Sequence, residues 1–320
     1  MKKGIYYTAI IFLSSCLFLS VIAYLWIPDT SRYANRQIPE ASLLDPGQTI
    51  CYNKIAISKS NQNTLNLMMN GDKSIYKFLV PNDQAPSEKP LECTTFIFGT
   101  DKYGRDVMSR IFVGLRYTLF IGFASVILSL FIGLLLGGIA GYFSGKTDQM
   151  ISIVINVFWS LPTILLAFAV ILSFGRSMVS IFVAIGLTMW GDVARLVRAQ
   201  VLSAKELLYV QAGKSLGYSD YNILFKQILP NIMGPVWVAA AGNFALAVLL
   251  ESGLSFLGFG LQPPVPTLGN ILQEQYAYAV TGKPMLALIP SIVVVLLVLS
   301  FQLITSSLRD RGDVRMSGIK

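Results

Sequence analysis

The 320-residue sequence contains no histidine. That absence removes Ser-His-Asp arrangements, histidine general bases and histidine metal ligands together. Cysteine is almost as scarce: the three present, Cys16, Cys51 and Cys93, fit no zinc spacing. Charge is thin too, at 13% of residues against about 25% in soluble domains. Catalysis carried by this chain alone is therefore not expected, and neither a metal nor a cofactor is called for.

Apolar residues are abundant, at 54% of the chain. One water-soluble core cannot hide them all, so lipid must solvate much of the surface. The net charge of +8 would suit nucleic acid only if Lys and Arg gathered on one polar domain. They fall instead between apolar runs and in one long polar stretch, so nucleic acid is not a partner.

Crossing a bilayer takes about 20 mainly apolar residues, and lipid obliges each span to satisfy its own backbone as a helix. Six segments qualify: 5–27, 119–143, 151–174, 178–197, 232–259 and 285–304. The expected fold is thus an all-α integral membrane protein of about six transmembrane helices. Its parts are an anchor helix (1–27), an extracytoplasmic segment (28–115), a core of five helices with a cytoplasmic loop at 200–230 (116–308), and a tail (309–320). Leu13-Ser14-Ser15-Cys16 resembles a lipoprotein cleavage box, but the apolar run continues through Val21, Leu25 and Trp26. A signal peptide's apolar region is only about 7–15 residues, so an uncleaved anchor is expected.

With both termini in the cytoplasm, the inner pieces hold Lys2, Lys3, Lys146, Lys205, Lys214, Lys226, Arg309, Arg311, Arg315 and Lys320, whereas the short outer loops hold Arg176 and Lys283. That asymmetry follows the positive-inside rule. The polar stretch after the first span then lies outside and shows no strong period. It carries Cys51 and Cys93, and an exported compartment permits disulfides. A bridge between them is expected; two unpaired thiols are the alternative.

On the second span, Ser125, Ser129, Gly133, Gly137, Gly141 and Gly145 recur at every fourth position. Such a stripe lets another helix come close where no hydrophobic force drives helices together. It serves either packing within the chain or a seam with a partner subunit. Gly141-Tyr-Phe-Ser-Gly145-Lys146-Thr147 imitates a phosphate-binding loop, but Ala140 stands where the motif needs its first glycine, and a membrane helix precedes it instead of a strand. Glu251 sits inside an apolar run, where a charge costs about 2.5–3.5 kcal/mol or more at mid-bilayer. Asp192 has Arg195 one turn on, the spacing of an intrahelical pair. These two acids are what a proton-coupled secondary transporter would build on, but both lie near predicted helix ends, where packing or interface roles are the expectation, and inverted repeats are not visible.

The loop 201–231 is the most informative segment. Ser203 with Glu206 three residues later suits a capping box, and Leu208, Ala212 and Leu216 then share one helical face. Gly217 suits a helix C-terminus. Ser219 or Asp220 can start a second helix that ends before Pro230. The pattern resembles the EAA loop of importer-type ABC permeases, E-A-A-x3-G-x9-I-x-L-P. Ala212, Gly217, Leu229 and Pro230 match, while Gln211 replaces the Glu, Gly213 the second Ala, and Gln227 the Ile.

Other segments narrow the resemblance to the dipeptide/oligopeptide/nickel permeases. They are Gly99-Thr100-Asp101-Lys-Tyr-Gly104-Arg105-Asp106-Val-Met-Ser109-Arg110, Ala194-Arg195-Leu196-Val197-Arg198, Leu254-Ser-Phe-Leu-Gly-Phe-Gly260 and Gln262-Pro263-Pro264. The chain is similar to the DppC/OppC type of subunit, apart from an insert at about 28–95. The resemblance implies the type I importer (MetI-like) permease fold and placement in a bacterial inner membrane. It implies several partners: a second, DppB/OppB-like permease, one or two ABC ATPase subunits that hydrolyse the ATP, and an extracytoplasmic binding protein. It also implies that Tyr209, Gln211, Ala212, Gly213, Leu216, Gly217, Leu229 and Pro230 form the coupling element that docks on the ATPase. Peptides are the expected substrate class.

Overall fold

The computed structural model describes residues 3–60, 62–79 and 92–317. Lys2, Lys320 and part of the polar insert lie outside the described residues. The chain forms two compact units: one of residues 1–12, 120–254 and 297–320, the other of residues 13–119 and 255–296.

In chain order the elements begin with helices α1 (Lys3–Val21) and α2 (Ala23–Trp26), then strand β1 (Gln48–Ser58), helix α3 (Thr64–Asn70), and strands β2 (Ile75–Leu79) and β3 (Glu92–Phe96). Helices α4 (Val107–Phe143), α5 (Gly145–Ser160), α6 (Thr163–Phe174), α7 (Met178–Lys205) and α8 (Leu208–Ser215) follow. A π-helix (Asn222–Ile228), the short α9 (Leu229–Asn231), α10 (Met233–Phe256), α11 (Leu268–Val280) and α12 (Met285–Ser317) complete the chain. Among the described residues, α4, α7, α10 and the Met285–Asp310 part of α12 are long and apolar enough to cross a bilayer, and α5 with α6 makes a fifth span if counted as one.

Two expected spans are not continuous helices. Segment 151–174 is broken by a 93° bend between α5 and α6. Pro162 is the cause: proline lacks the amide hydrogen and forces its predecessor out of helical geometry, and Leu161 is extended at ψ 135°. The first span, expected over 5–27, stops at Val21; its apolar helical part, Tyr6–Val21, is shorter than a full span. The next turn folds away because Ala23, Tyr24 and Ile27 are buried with Ala34 and Val113, and the Tyr24 hydroxyl accepts the Tyr33 N–H at 3.0 Å.

In the first unit the small-residue stripe of α4 lies against α7. A methyl group added to Gly137 would overlap the Ala194 carbonyl oxygen; one on Gly133 would lie 2.5 Å from the Val193 side chain, and one on Gly141 2.8 Å from the Arg198 carbonyl oxygen. Ser125 donates its hydroxyl to the Phe182 carbonyl at 3.2 Å, and Ser129 donates to Val126 of its own helix at 2.9 Å. A helix of the same chain therefore fills the stripe from Gly133 to Gly141, whereas Gly145 lies in α5 and has nothing within 4 Å of where a methyl would stand. Gly141 lies inside α4 and Lys146 inside α5, with only the non-helical Ser144 between the two helices, so the phosphate-loop lookalike is a junction between helices and not a strand-to-helix loop.

The second unit contains a three-stranded antiparallel sheet in the order β2-β1-β3. The polar segment thus holds strands that its sequence shows only faintly. Along β1 Tyr52 alone is buried and both ends are exposed, so no clean alternation of period two is written into it. Tyr52 packs with Ile38, Ala41 and Phe96. Cys51 and Cys93 are register partners on β1 and β3, and their sulfurs are bonded.

The segment 98–110 builds the entry to α4. Gly104 has φ +69°, and a methyl there would overlap the Ile38 carbonyl, so glycine is required. The Asp101 carboxylate accepts the Tyr103 and Arg105 amides at 2.8 and 3.0 Å and pairs with the Arg105 guanidinium at 2.5 Å. Arg105 also reaches Glu274 of α11 at 2.5 Å, and Arg110 reaches the same carboxylate oxygen at 3.1 Å. Asp106 caps α4, accepting the Ser109 amide at 2.9 Å and its hydroxyl. Burial pushes the Asp106 carboxyl above the usual carboxylate range, against those two hydrogen bonds.

Removing one partner from a buried ion pair costs about 3–5 kcal/mol, and Glu274 serves two guanidiniums that are 3% and 2% exposed. Glu274→Ala is expected to lower the unfolding temperature of the detergent-purified chain by several degrees, and an unchanged Tm would refute the network's weight. Alkylation of the unfolded chain is expected to modify Cys51 and Cys93 only after reduction.

Candidate functional site

The loop after α7 folds as a knob. α7 runs to Lys205, longer than its expected end at 197, and Glu206 closes it at φ −85°, ψ −7°. Ser203 therefore lies inside α7, donating to the Ala199 carbonyl at 3.2 Å; it does not open a capping box. Leu207, extended at ψ 146°, precedes α8 and offers no side-chain cap. The local work falls to Gln211, whose amide nitrogen donates to the Glu206 carbonyl at 3.1 Å. A carboxylate, as the resembling pattern has at this position, has no hydrogen to donate there.

α8 ends as the sequence predicts. Gly217 adopts φ +78°, its amide donates to Lys214 O at 3.0 Å, and the Tyr218 amide donates to Gly213 O at 3.1 Å. Those two bonds and the left-handed glycine constitute a Schellman motif. The chain then turns through Ser219, whose hydroxyl accepts the Asn222 amide at 3.4 Å, and enters the π-helix. Helical structure does not end before Pro230 but passes through α9; proline is tolerated in a first turn because its missing amide hydrogen needs no partner there.

The knob has two faces. Val210, Ile223, Leu224 and Ile228 are buried against Val201 and Val197 of α7. Gly213 is buried too, and a methyl on it would meet the Gln227 amide oxygen at 3.0 Å and the Tyr218 ring at 3.4 Å. Gly213 and Gln227 are two of the three departures from the resembling pattern, and they adjoin: the longer, polar side chain reaches the room that a missing methyl leaves. On the other face Leu208 is 83% and Leu216 73% exposed, with Ala212 exposed between them. Tyr209 is 37% exposed, Leu229 half-buried and Pro230 exposed.

Two arginines hold α5 to the root of this knob. Arg198 clamps Asp148 through two bonds of 2.5 and 2.6 Å, the bidentate geometry that arginine favours. Arg195 stacks over the Trp159 ring at 3.6 Å and donates to Asn156 at 3.1 Å. No Arg195–Asp192 salt bridge within 4.0 Å is present among the described residues, and Asp192 is exposed. Glu251 is buried in α10. In the segment between α10 and α11, Gly260 fits tightly, since a methyl there would collide with Ser255 Oγ and lie 2.6 Å from Asn270 Oδ1. Asn270 in turn donates to Leu261 O at 2.6 Å.

The adjoining departures generate a double-variant expectation. Gly213→Ala alone presses on Gln227 and is expected to cost about 1 kcal/mol; Gln227→Ile alone is expected to crowd the same spot less, the side chain being shorter. Thermal unfolding of both singles and the pair would check this, and identical losses in all three would contradict the pairing.

The family model for binding-protein-dependent transport system inner membrane components matches residues 133–317. The glutathione transport system permease protein GsiD of Pectobacterium atrosepticum is 38% identical over 218 residues, covering 68% of this chain and 72% of that protein. The dipeptide transport system permease protein DppC of Alkalihalophilus pseudofirmus is 37% identical over 219 residues, again covering 68% and 72%. Among solved structures, an inward facing conformation of the MetNI methionine ABC transporter aligns at TM-score 0.47 and 21% identity, over 61% of this chain and 94% of that one. The matched stretch takes in the glycine stripe from Gly133, the arginine clamp and the whole knob, and the chain belongs to the family of binding-protein-dependent transport system inner membrane components, the membrane-embedded permease subunits of ABC importers.

Proposed function

We propose that this permease serves peptide import and takes up the motion of an ATPase subunit through the exposed face of the knob at 208–217. ABC importer permeases work with a second permease, ATPase subunits and a binding protein, and ATP hydrolysis belongs to those separate subunits. For this chain the finer reading is a DppB/OppB-like second permease, one or two ATPases docked at Tyr209, Ala212, Leu216 and Gly217, and both termini in the cytoplasm. The substrate class rests on the relatives, one named for glutathione and one for dipeptides.

The observation that carries the docking role is the exposed apolar face of Leu208, Ala212 and Leu216. Burying one leucine side chain is worth about 1.5–3 kcal/mol, whereas an exposed ion pair contributes about 0–1 kcal/mol. Having Gln211 in place of a glutamate therefore takes little from docking, because the leucines dominate. Membership of an ATP-driven family leaves the proton-coupled reading built on Glu251 and Asp192 without support.

The test is a pull-down from detergent-solubilised membranes with an ATPase assay on the captured complex. A second permease and one or two ATPases are expected to co-purify. Ala212→Asp puts a charge on the apolar face, and Gly217→Pro imposes φ near −65° where the chain needs +78°. Both are expected to abolish uptake while leaving part of the assembly intact. Normal uptake in both variants would overturn the coupling role, and a chain that purifies alone and transports without ATP would overturn the importer assembly.

A further inference from the structure

One residue at the C-terminal end of α4 contacts the end of α7, α8 and the turn that follows α8. Tyr142 is 4% exposed and lies one residue before the end of α4. Its hydroxyl donates to the Asp220 carboxylate at 2.6 Å, in the turn between α8 and the π-helix. Its main-chain carbonyl accepts Lys205 Nζ, from the last residue of α7, at 2.7 Å, and the same ammonium reaches Ser144 Oγ at 3.2 Å. Over its ring stand two ammonium groups, Lys205 at 5.7 Å and Lys214 of α8 at 5.6 Å from the centroid.

The remaining contact between knob and helices is largely apolar, through Val201, Val210, Ile223 and Leu224. Apolar burial is non-directional: it holds the knob against α4 and α7 without fixing the angle at which it sits. The Tyr142–Asp220 hydrogen bond is directional, short and assisted by charge. It joins the span that carries the glycine stripe to the segment just past the Schellman turn.

We propose that Tyr142 is a positioning residue for the knob, its hydroxyl holding Asp220 so that α8 keeps a fixed orientation against the ends of α4 and α7. This rests on the coupling reading above for its consequence in transport, but not for its geometry. A push delivered at Leu208 and Leu216 then reaches α4 as movement of a rigid body. Without the hydroxyl, the same push is absorbed by the knob rocking on its apolar seat.

The test keeps the full chain. In a Cys16→Ser background, nitroxides on Phe143→Cys and Leu216→Cys, both exposed positions, report the distance from knob to α4 by pulsed electron paramagnetic resonance in nanodiscs. One narrow distribution is expected for the parent. Tyr142→Phe keeps the ring and both cation contacts, and it is expected to broaden that distribution. Asp220→Ala is expected to do the same, while Asp220→Asn, which retains an acceptor, leaves it narrow. In the reconstituted importer, fed a peptide hydrolysate as probe, Tyr142→Phe is expected to lower peptide delivered per ATP by about fivefold to tenfold. The double variant Tyr142→Phe/Asp220→Ala should fall no further than either single. An unchanged distance distribution in Tyr142→Phe overturns the proposal, as do losses that multiply in the double variant. Should the distances broaden while Ala212→Asp and Gly217→Pro leave uptake normal, the positioning stands and the coupling reading fails.

Discussion

The first unit depends on the close backbone approach of α4 and α7. Lipid tails solvate leucine as well as another helix does, so helices in a membrane are held by packing, not by escape from water. Here the packing comes from what is missing: three glycines of α4 leave room for Val193, for the backbone at Ala194, and for the Arg198 carbonyl and Val201. With α7 seated, its next turn brings Arg195 and Arg198 onto α5, and its end carries the knob. A side chain at Gly137 would push all of this outward, because the obstruction is main chain and cannot rotate away.

The second unit is organised by charge. Asp101, Arg105, Arg110 and Glu274 are gathered behind the start of α4, and burial on this scale stabilises only when the partners compensate each other. The arrangement is alternating in sign and shares one carboxylate between two guanidiniums. The segment 98–110 thus uses its polar residues for architecture: Asp101 and Gly104 shape the turn, Asp106 caps the helix, and the arginines fasten α11.

Much of this was legible in the sequence because membrane chemistry writes in long runs. Four apolar stretches, the small-residue stripe and the glycine that ends α8 each follow from a single physical cause, whether hydropathy, steric room or a positive φ. The features that were not legible depend on competition between local and distant partners. Pro162 sits in a run apolar enough to pass for continuous helix, and the bend shows only when its effect on Leu161 is weighed. Ser203 and Glu206 have the spacing of a capping box, yet α7 continues through Ser203, with Val201 and Ala204 buried, and Glu206 ends it instead of helping to start a helix. The strands of the polar segment bury so little of one face that alternation is lost. Tyr142 stood out only as a member of the phosphate-loop lookalike; its contacts are with Asp220 and Lys205, 78 and 63 positions away. The departures at Gly213 and Gln227 were visible singly, but their adjacency was not.

The shared carboxylate of the second unit also bears on how the chain is made. Arg105 and Arg110 leave the ribosome 169 and 164 residues ahead of Glu274, and translation proceeds at about 5–20 residues per second. For something on the order of ten to thirty seconds both guanidiniums exist with Asp101 but without the group that completes their neutralisation. Solvent is what compensates them in that interval, so the charge cluster cannot be completed while the helices between α4 and α11 are still being synthesised. Closure of the charge cluster is thereby timed by the arrival of α11, after most of the chain has been synthesised.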